Sequence, residues 1–259
     1  MTTNKPLHLT AAQSVGDWVT ADYRIAAVFD KYGIDFCCGG QRSVDQACAE
    51  QKVSPETILQ EVAHVTETPG SGERYDQWAL DFLADYVVNE FHLYTKKMLP
   101  KLSEYIETVA NVHGETHPET RTIAEMWPLV RGDMAKHMQK EELLLFPYIK
   151  RLVRSQAEGS VPSLPPFGSA RELIEAMEAE HDETGDALHE IEALSDGYTP
   201  PTDACPTFRT HSDLHSEFDA AKKKNLHLEH NIMFPTSNEL AQSPRTQTPI
   251  TPYGHHPMQ

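Results

Sequence analysis

The sequence lacks the features of several large protein classes. It contains no apolar run long enough to cross a membrane, and its first residues, MTTNKPLHLT, lack the apolar stretch of a signal peptide. Basic residues are few, with 22 lysines and arginines against 39 acidic residues and a formal net charge of −17. Nucleic acids and anionic membranes bind basic faces, so we expect neither as a partner. Because a membrane span and a signal peptide are both missing, we expect a cytoplasmic protein.

Cysteine is scarce, and its placement matters more than its number. The chain has four cysteines, and two of them, Cys37 and Cys38, are adjacent. A disulfide between neighbouring residues closes a small, strained ring, so a structural disulfide is not expected there. In a reducing compartment the pair is instead available as thiols for redox or metal chemistry.

Strand patterns are also missing, and helical periodicity fills most of the chain. Apolar residues recur at helical spacing in four long segments: residues 76–113, 120–153, 169–194 and 207–240. Prolines are the expected interruptions, and they are Pro100 in the first segment and Pro128 and Pro147 in the second.

Polar stretches that contain proline, glycine or serine divide the chain. Residues 66–74 separate a short N-terminal unit, residues 155–169 divide the rest into halves, and residues 241–259 form a proline-rich tail that we expect to be disordered. We therefore predict an all-α fold. A small helical domain over residues 1–66 is followed by an up-down four-helix bundle over residues 74–240.

An internal repeat links the two halves of the bundle. KHMQKEELLLFP returns as KNLHLEHNIMFP, with lysine, glutamate and Phe-Pro in register. His137 and Glu141 of the first copy are four residues apart and share one helix face. The second copy keeps the glutamate as Glu229 but has Asn225 in place of the histidine.

Hairpin geometry brings histidines of the preceding helices to the level of these residues. In an antiparallel helix pair, residues equidistant from the turn lie side by side. The midpoint between His92 and His137 falls in the turn-like HGETHP, and that between His181 and Glu229 falls in TPPTDACP. All lie among apolar neighbours, where an uncompensated charge is costly. The candidate metal ligands are therefore His92, His137, Glu141, His181 and Glu229.

Imidazoles and carboxylates inside a helix bundle are typical of a non-haem di-iron site. Carboxylates suit ferric ions and can span two metals, so iron is the predicted metal, while manganese and zinc stay alternatives. For His137 and Glu141 alone, an ordinary solvated polar pair is the alternative. His113 is excluded as a ligand, because it lies about 30 Å from His92 along a continuous helix. Three further histidines lie turns away: His189, His211 and His215.

The N-terminal unit is predicted to consist of short helices. Ser43 and Ser54 are the predicted N-caps, the second followed by Pro55 at the first helical position. The adjacent cysteines lie just before the Ser43 helix, whose backbone amides can lower a thiol pKa, and the two glycines after them let another molecule approach closely. A pair of ordinary buried cysteines explains the composition equally well. Cys48 is expected to pack within a helix, and Cys205 lies in a turn without a partner evident from sequence.

Together these motifs resemble the repair-of-iron-centres family: DKYGIDFCCGG is followed by a hemerythrin-like bundle with KHMQKEELLLFP, AEHDETGDAL and LEHNIMFP. The resemblance covers roughly residues 10–237. It implies a di-iron protein associated with the repair of iron–sulfur clusters after nitrosative and oxidative stress. The implied cofactor is two oxo-bridged iron ions, and the implied functional cysteines are Cys37 and Cys38.

The resemblance also implies a ligand set. The iron-binding histidines match His92, His137 and His181, and the bridging carboxylates match Glu141 and Glu229. The family's remaining histidine falls at Asn225, so that ligand is not carried over. His227 is two residues along, about 200° around a helix, and is expected to support the ligands rather than to replace one. Asn225, His227 and water stay open as replacements, and the iron nearest His181 is expected to have one nitrogen fewer.

Three functional hypotheses follow. In the first, the bundle holds labile iron, and the cysteine domain helps to pass it to a damaged iron–sulfur cluster in a partner protein. The second is reduction of nitric oxide at the iron pair, which the resemblance allows, and the third is sensing of oxygen or iron. The cysteine pair favours repair over sensing, because oxygen binding needs no thiols. Nothing in the sequence separates repair from nitric oxide reduction, and a homodimer is left open.

Overall fold

The structure is a computed structural model that describes residues 9–67, 73–160 and 169–242. Within these ranges the ordered elements are helices, and one isolated β-bridge joins Ser14 and Ser43. The predicted all-α fold is therefore confirmed. None of the described helices is both long enough and apolar enough to cross a membrane.

The N-terminal unit contains one 3-10 turn, Tyr23–Ile25, and four α-helices: α1 (Val15–Ala21), α2 (Ala26–Lys31), α3 (Val44–Glu50) and α4 (Pro55–Glu67). Ser43 and Gln46 form a reciprocal capping box that begins α3. The hydroxyl of Ser54 accepts a hydrogen bond from the amide of Thr57 at the start of α4. Both predicted N-caps are confirmed, and Cys48 is buried in the core of this unit, as expected.

Four rods of helix form the bundle. They are α5 (Leu80–Tyr86) with α6 (Leu93–His113), α7 (Glu119–Lys140) with α8 (Phe146–Glu158), α9 (Ala170–Leu194), and α10 (Pro206–Leu228) with α11 (Phe234–Gln242). α6 packs against α7 and α10, and α7 packs against α9. The rods follow the four predicted segments, because the apolar stripe of each has to be buried along its length.

Three rods contain a π-helical segment, namely Val87–His92 between α5 and α6, Glu141–Leu145 between α7 and α8, and Glu229–Met233 between α10 and α11. Pro147 and Pro235 follow the last two segments. Proline has no N–H to donate, and its ring crowds the carbonyl four residues earlier. The widened helix ahead of each proline accommodates both effects.

Pro100 and Pro128 do not interrupt their helices, contrary to expectation. They lie inside α6 and α7, on exposed positions. Their neighbours Leu99 and Trp127 are buried in the bundle. Tertiary packing of the apolar face holds a helix together across a single missing hydrogen bond, so both rods continue.

Two apolar cores occupy the two ends of the bundle. One includes Phe91, Phe146 and Phe234, and the other includes Leu102 and Trp127. Along the first three rods, His92, Glu141 and His181 lie between residues of one core and residues of the other. On the fourth rod, Glu229 lies among residues of the first core, next to Leu228. The fold therefore places them in the interior, away from both ends.

The N-terminal unit packs against the bundle beside these residues. Leu226 of α10 belongs to the core of the N-terminal unit, and the ring centroids of Tyr23 and His227 are 5.7 Å apart. The domain limits given above stay predictions. Of the predicted disordered tail, residues 241 and 242 end α11, and the remainder lies outside the described residues, as do parts of both predicted linkers.

Candidate metal centre

All five predicted ligands lie together in the bundle interior, and each is at most 6% exposed. The π segments supply three of them. His92 ends the first segment, while Glu141 and Glu229 begin the other two. His137 and His181 lie on α7 and α9. Single π turns inside α-helices are frequent at functional sites, because they redirect side chains that regular helix would point elsewhere.

Each imidazole turns its Nε2 atom towards a carboxylate. The separations are 3.3 Å from His92 to Glu141, 3.2 Å from His137 to Glu141 and 3.4 Å from His181 to Glu229. The Nε2 atoms of His137 and His181 are only 2.6 Å apart. Two imidazole lone pairs repel each other at that distance, so the arrangement calls for a cation or a proton next to them.

The other ring nitrogen, Nδ1, has a partner in all three imidazoles. The partners are Glu142 for His92 (2.8 Å), Glu180 for His137 (2.9 Å) and His230 for His181 (2.5 Å). Lys96 and Lys140 bind Glu142 and Glu180 in turn. An Nδ1–H donated to such a partner fixes the tautomer and the ring orientation, and it leaves the Nε2 lone pair for a metal.

Each carboxylate spans two places. Glu141 presents Oε1 to His137 and Oε2 to His92. Glu229 presents Oε2 to His181, and its Oε1 lies 4.0 Å from His92 Nε2. We call position A the place faced by His137, His181, Glu141 Oε1 and Glu229 Oε2. Position B is the place faced by His92, Glu141 Oε2 and Glu229 Oε1.

Asn225 belongs to position B. Its Nδ2 donates a 2.5 Å hydrogen bond to Glu229 Oε1, the oxygen on the side of His92. Its Oδ1 accepts a 3.0 Å hydrogen bond from the buried ammonium of Lys222. The expectation that the iron nearest His181 has one nitrogen fewer is therefore wrong. Asn225 meets Glu229 Oε1, whereas His181 faces Glu229 Oε2.

The pKa values of the two buried carboxylates shift in opposite directions. Burial tends to raise the pKa of both, but around Glu141 the imidazoles of His137 and His92 outweigh it and hold the pKa of that carboxyl well below its usual range. For Glu229, burial and the charge of Glu141 raise the pKa to about 7. Burial lowers the pKa of His181, which keeps the ring neutral and able to bind a metal.

Several buried polar atoms here have no hydrogen-bond partner: His92 Nε2, both carboxylate oxygens of Glu141, and Glu229 Oε2. Unsatisfied buried acceptors are costly and call for an explanation. A bound metal would satisfy all of them at once, and imidazole nitrogen with carboxylate oxygen suits iron, manganese and zinc. The residues present therefore fit a bound metal, and position A has the fuller donor set.

Two other histidines noted in the sequence lie elsewhere. His227 contacts the N-terminal unit rather than the metal ligands, through the ring of Tyr23. Its Nδ1 lies 3.0 Å from the Nδ2 of Asn231, one turn further along its own rod. His113 ends α6, and its Nε2 lies 3.1 Å from the Cys205 sulfur at the start of α10. The turn cysteine thus has a partner that the sequence did not identify.

Asp35 organises the loop that carries the adjacent cysteines. Its carboxylate accepts hydrogen bonds from the amides of Cys37 (2.9 Å), Cys38 (3.1 Å) and Gly39 (2.8 Å). Hydrogen bonding to Cys38, burial and nearby negative charge raise the pKa of the Cys37 thiol well above its usual value. The expected lowering of a thiol pKa is therefore wrong for Cys37. The amides at the start of α3 do not serve it, because Val44 donates to Gln13 and Gln46 donates to Ser43. Cys37 is buried, whereas Cys38 is partly exposed.

A residue of the metal centre's own helix anchors this loop. Asn231 lies two residues after Glu229 in the same π segment, and its Nδ2 donates to the carbonyl of Phe36 at 3.1 Å. A Cβ on Gly40 would lie 2.4 Å from the Asn231 side chain, so only glycine permits this approach. The glycines are predicted to let another molecule approach closely, but at Gly40 the close neighbour is Asn231 of the bundle.

Cys38 lies against α9, the helix that carries His181. Its sulfur would be 3.3 Å from a Cβ added at Gly185, one helical turn after His181. The charge of Asp35 also acts on His230, the partner of His181. The thiol loop and the metal centre are therefore neighbours.

Comparisons with known proteins agree with this geometry. A family model of the hemerythrin HHE cation-binding domain matches residues 83–237, and one of a domain of unknown function, DUF542, matches residues 11–66. Curated proteins named iron–sulfur cluster repair protein YtfE are 31% identical in Musicola paradisiaca (strain Ech703) and 30% identical in Enterobacter sp. (strain 638). Each alignment covers 86% of this chain and 95% of the relative. The chain belongs to the YtfE family of iron–sulfur cluster repair proteins.

In this YtfE-family chain, sequence reasoning missed the residues that orient the imidazoles. Glu142 and His230 occupy the same place in the two repeat copies, directly after Glu141 and Glu229. Each binds the Nδ1 of the histidine on the facing helix. Aligning the two copies of the repeat places Glu142 and His230 at the same position, and this alignment could have identified both residues.

Proposed function

We propose that this chain repairs iron–sulfur clusters damaged by nitric oxide or oxidative stress, and that it donates iron held at positions A and B. Its relatives are named for cluster repair. The observation that carries the proposal is the contact between the cysteine loop and the π segment of Glu229, made by Asn231. Oxygen sensing needs a metal centre but no thiols beside it, so this contact favours repair.

The residues divide the proposed work. Bound iron would supply the ion that a damaged cluster has lost. Glu141 and Glu229 would hold two ions together, because each carboxylate faces both positions. Cys38 is the proposed receiving thiol, since it is partly exposed and lies beside α9. Cys37 is the proposed second sulfur, and thiolates are the ordinary ligands of iron in such clusters.

The proposed partners are proteins that carry damaged iron–sulfur clusters, and the proposed place of action is the cytoplasm. All four cysteines are free thiols, which suits a reducing compartment. A homodimer stays a prediction that the sedimentation of the purified protein would test.

The test is restoration of a cluster. An iron–sulfur enzyme inactivated by nitric oxide is mixed without oxygen with the iron-loaded chain, and enzyme activity and cluster absorbance are followed. We expect both to return, and we expect the metal-free chain to restore neither. Absence of recovery with the loaded chain would contradict the proposal. Formation of nitrous oxide without recovery would favour nitric oxide reduction instead.

A further inference from the structure

A buried lysine lies beside the metal centre. Lys222 is 6% exposed, and its ammonium donates to Asn225 Oδ1 at 3.0 Å. Among the described residues, no carboxylate lies within ion-pair distance of this ammonium. Its charge nevertheless acts on Glu229 and on His181. Buried ammonium groups are expensive unless paired, so its position calls for a reason.

The neighbouring lysine shows the ordinary arrangement. Lys223 pairs with the Asp219 carboxylate at 2.8 Å and reaches Asp30 at 3.4 Å. Lys222, by contrast, is linked through the amide of Asn225 to the bridging carboxylate of Glu229.

The repeat shows what this pair replaces. In the first copy, Met134 occupies the place of Lys222, and His137 occupies the place of Asn225. Met134 is a buried apolar side chain, and His137 points its Nε2 at Glu141. The second copy has therefore exchanged an apolar neighbour and a metal ligand for a cation and an amide.

We infer that Lys222 and Asn225 make position B the exchangeable metal position, from which iron is given up, while position A retains its iron. The inference rests on the proposed function, because it states which of the two ions is donated. Lys222 acts here as a positioning residue, since the residue that it hydrogen-bonds is Asn225 and it touches the centre through that amide, while its charge acts from a distance.

Two properties of the pair produce this difference. Asn225 points its Nδ2 at Glu229 and its oxygen at Lys222, so the amide would have to turn over and lose both hydrogen bonds before its oxygen faced a metal at position B. The ammonium also repels a second cation at position B. When the ion leaves, the lone pairs stay on His92 and on the carboxylates, and no electron is transferred. Lys222 then supplies the positive charge that Glu229 has lost.

Metal release measures the inference directly. The chain is loaded with ferrous iron without oxygen, and iron loss to a ferrous chelator is followed while native mass spectrometry counts the ions that remain. We expect two phases, with the fast phase accounting for one ion per chain. The double variant Lys222→Met with Asn225→His gives the second copy the residues of the first. In this double variant we expect the fast phase of iron release to slow by about tenfold or more. Residues around metal ligands commonly change metal affinity by at least that factor.

Lys223→Met is the matched control, because it removes a neighbouring lysine that pairs with Asp219. The release phases of this variant should be unchanged.

The inference would also be supported if the wild-type chain held one ion and the double variant held two. Asn225→His alone repeats the test if the double variant does not fold. A single release phase in the wild type, or an unchanged fast phase in a folded variant, would overturn the inference. Failure of cluster restoration alongside two release phases would instead overturn the proposed function alone.

Discussion

Asn225 donates to Glu229 across 2.5 Å at the place where the first repeat copy sets His137 against Glu141 at 3.2 Å. The helix spacing is the same in both copies, yet one contact is made by the imidazole of a proposed metal ligand and the other is an amide hydrogen bond. Because Glu229 Oε1 is the atom that meets the amide, the difference falls on position B. The two halves of the bundle are thus alike in backbone and unlike in donor chemistry.

Glu141→Ala is expected to remove most of the iron from both positions. The two oxygens of Glu141 face His137 and His92 respectively, so its loss deprives both ions of a ligand. Metal analysis of the purified variant checks this. Glu90→Ala is the control, because Glu90 is exposed on the helix of His92 and should leave the iron content unchanged. Full iron occupancy in Glu141→Ala would refute the bridging assignment.

Replacing Cys37 and Cys38 by serine is expected to abolish cluster restoration while leaving the iron content unchanged. A serine hydroxyl at position 37 can still donate to Asp35, so the loop keeps its shape. Cys205→Ser is the matched control, since Cys205 lies beside His113 and outside both sites. Normal restoration by the double variant would remove the main support for repair over sensing.

Much of the architecture was predictable from the sequence. The four rods follow from apolar residues at helical spacing, and the ligands meet because antiparallel rods align residues equidistant from a turn. His92 and His137 therefore face the same carboxylate, as the spacing indicated. The direction of His227, away from the centre, also follows from helix geometry.

The finer arrangement was not predictable in the same way. Regular helix geometry does not contain the π segments, which set the final directions of His92, Glu141 and Glu229. Those directions also decide on which side of Glu229 Asn225 lies. Sequence spacing alone therefore assigns the missing nitrogen to the iron nearest His181, whereas the structure assigns it to position B. The pKa of Cys37 depends on its hydrogen bond to Cys38, on burial and on the charge of Asp35, all of which only the folded loop shows.

His230→Ala is expected to weaken metal binding at position A, by about tenfold or more in affinity. His230 holds the Nδ1 of His181 at 2.5 Å, so its loss frees the ring to turn. Competition with a chelator measures the affinity. His227→Ala is the comparison, because that ring contacts Tyr23 instead. It should leave metal affinity unchanged and lower the melting temperature, and equal metal loss in both variants would contradict the assignment.

The thiol of Cys205 is expected to react at lower pH than an ordinary cysteine. Backbone hydrogen bonds from Phe208 at the start of α10, together with the His113 imidazole, lower its pKa to about 7. Only the thiolate reacts with iodoacetamide, so the rate should be half-maximal near that pH, fall below it and level off above it. His113→Phe should move the midpoint upward, towards the ordinary thiol value of about 8.5. The rates are measured with the other three cysteines changed to serine. A midpoint that is unchanged by His113→Phe would show that the imidazole does not stabilise the thiolate.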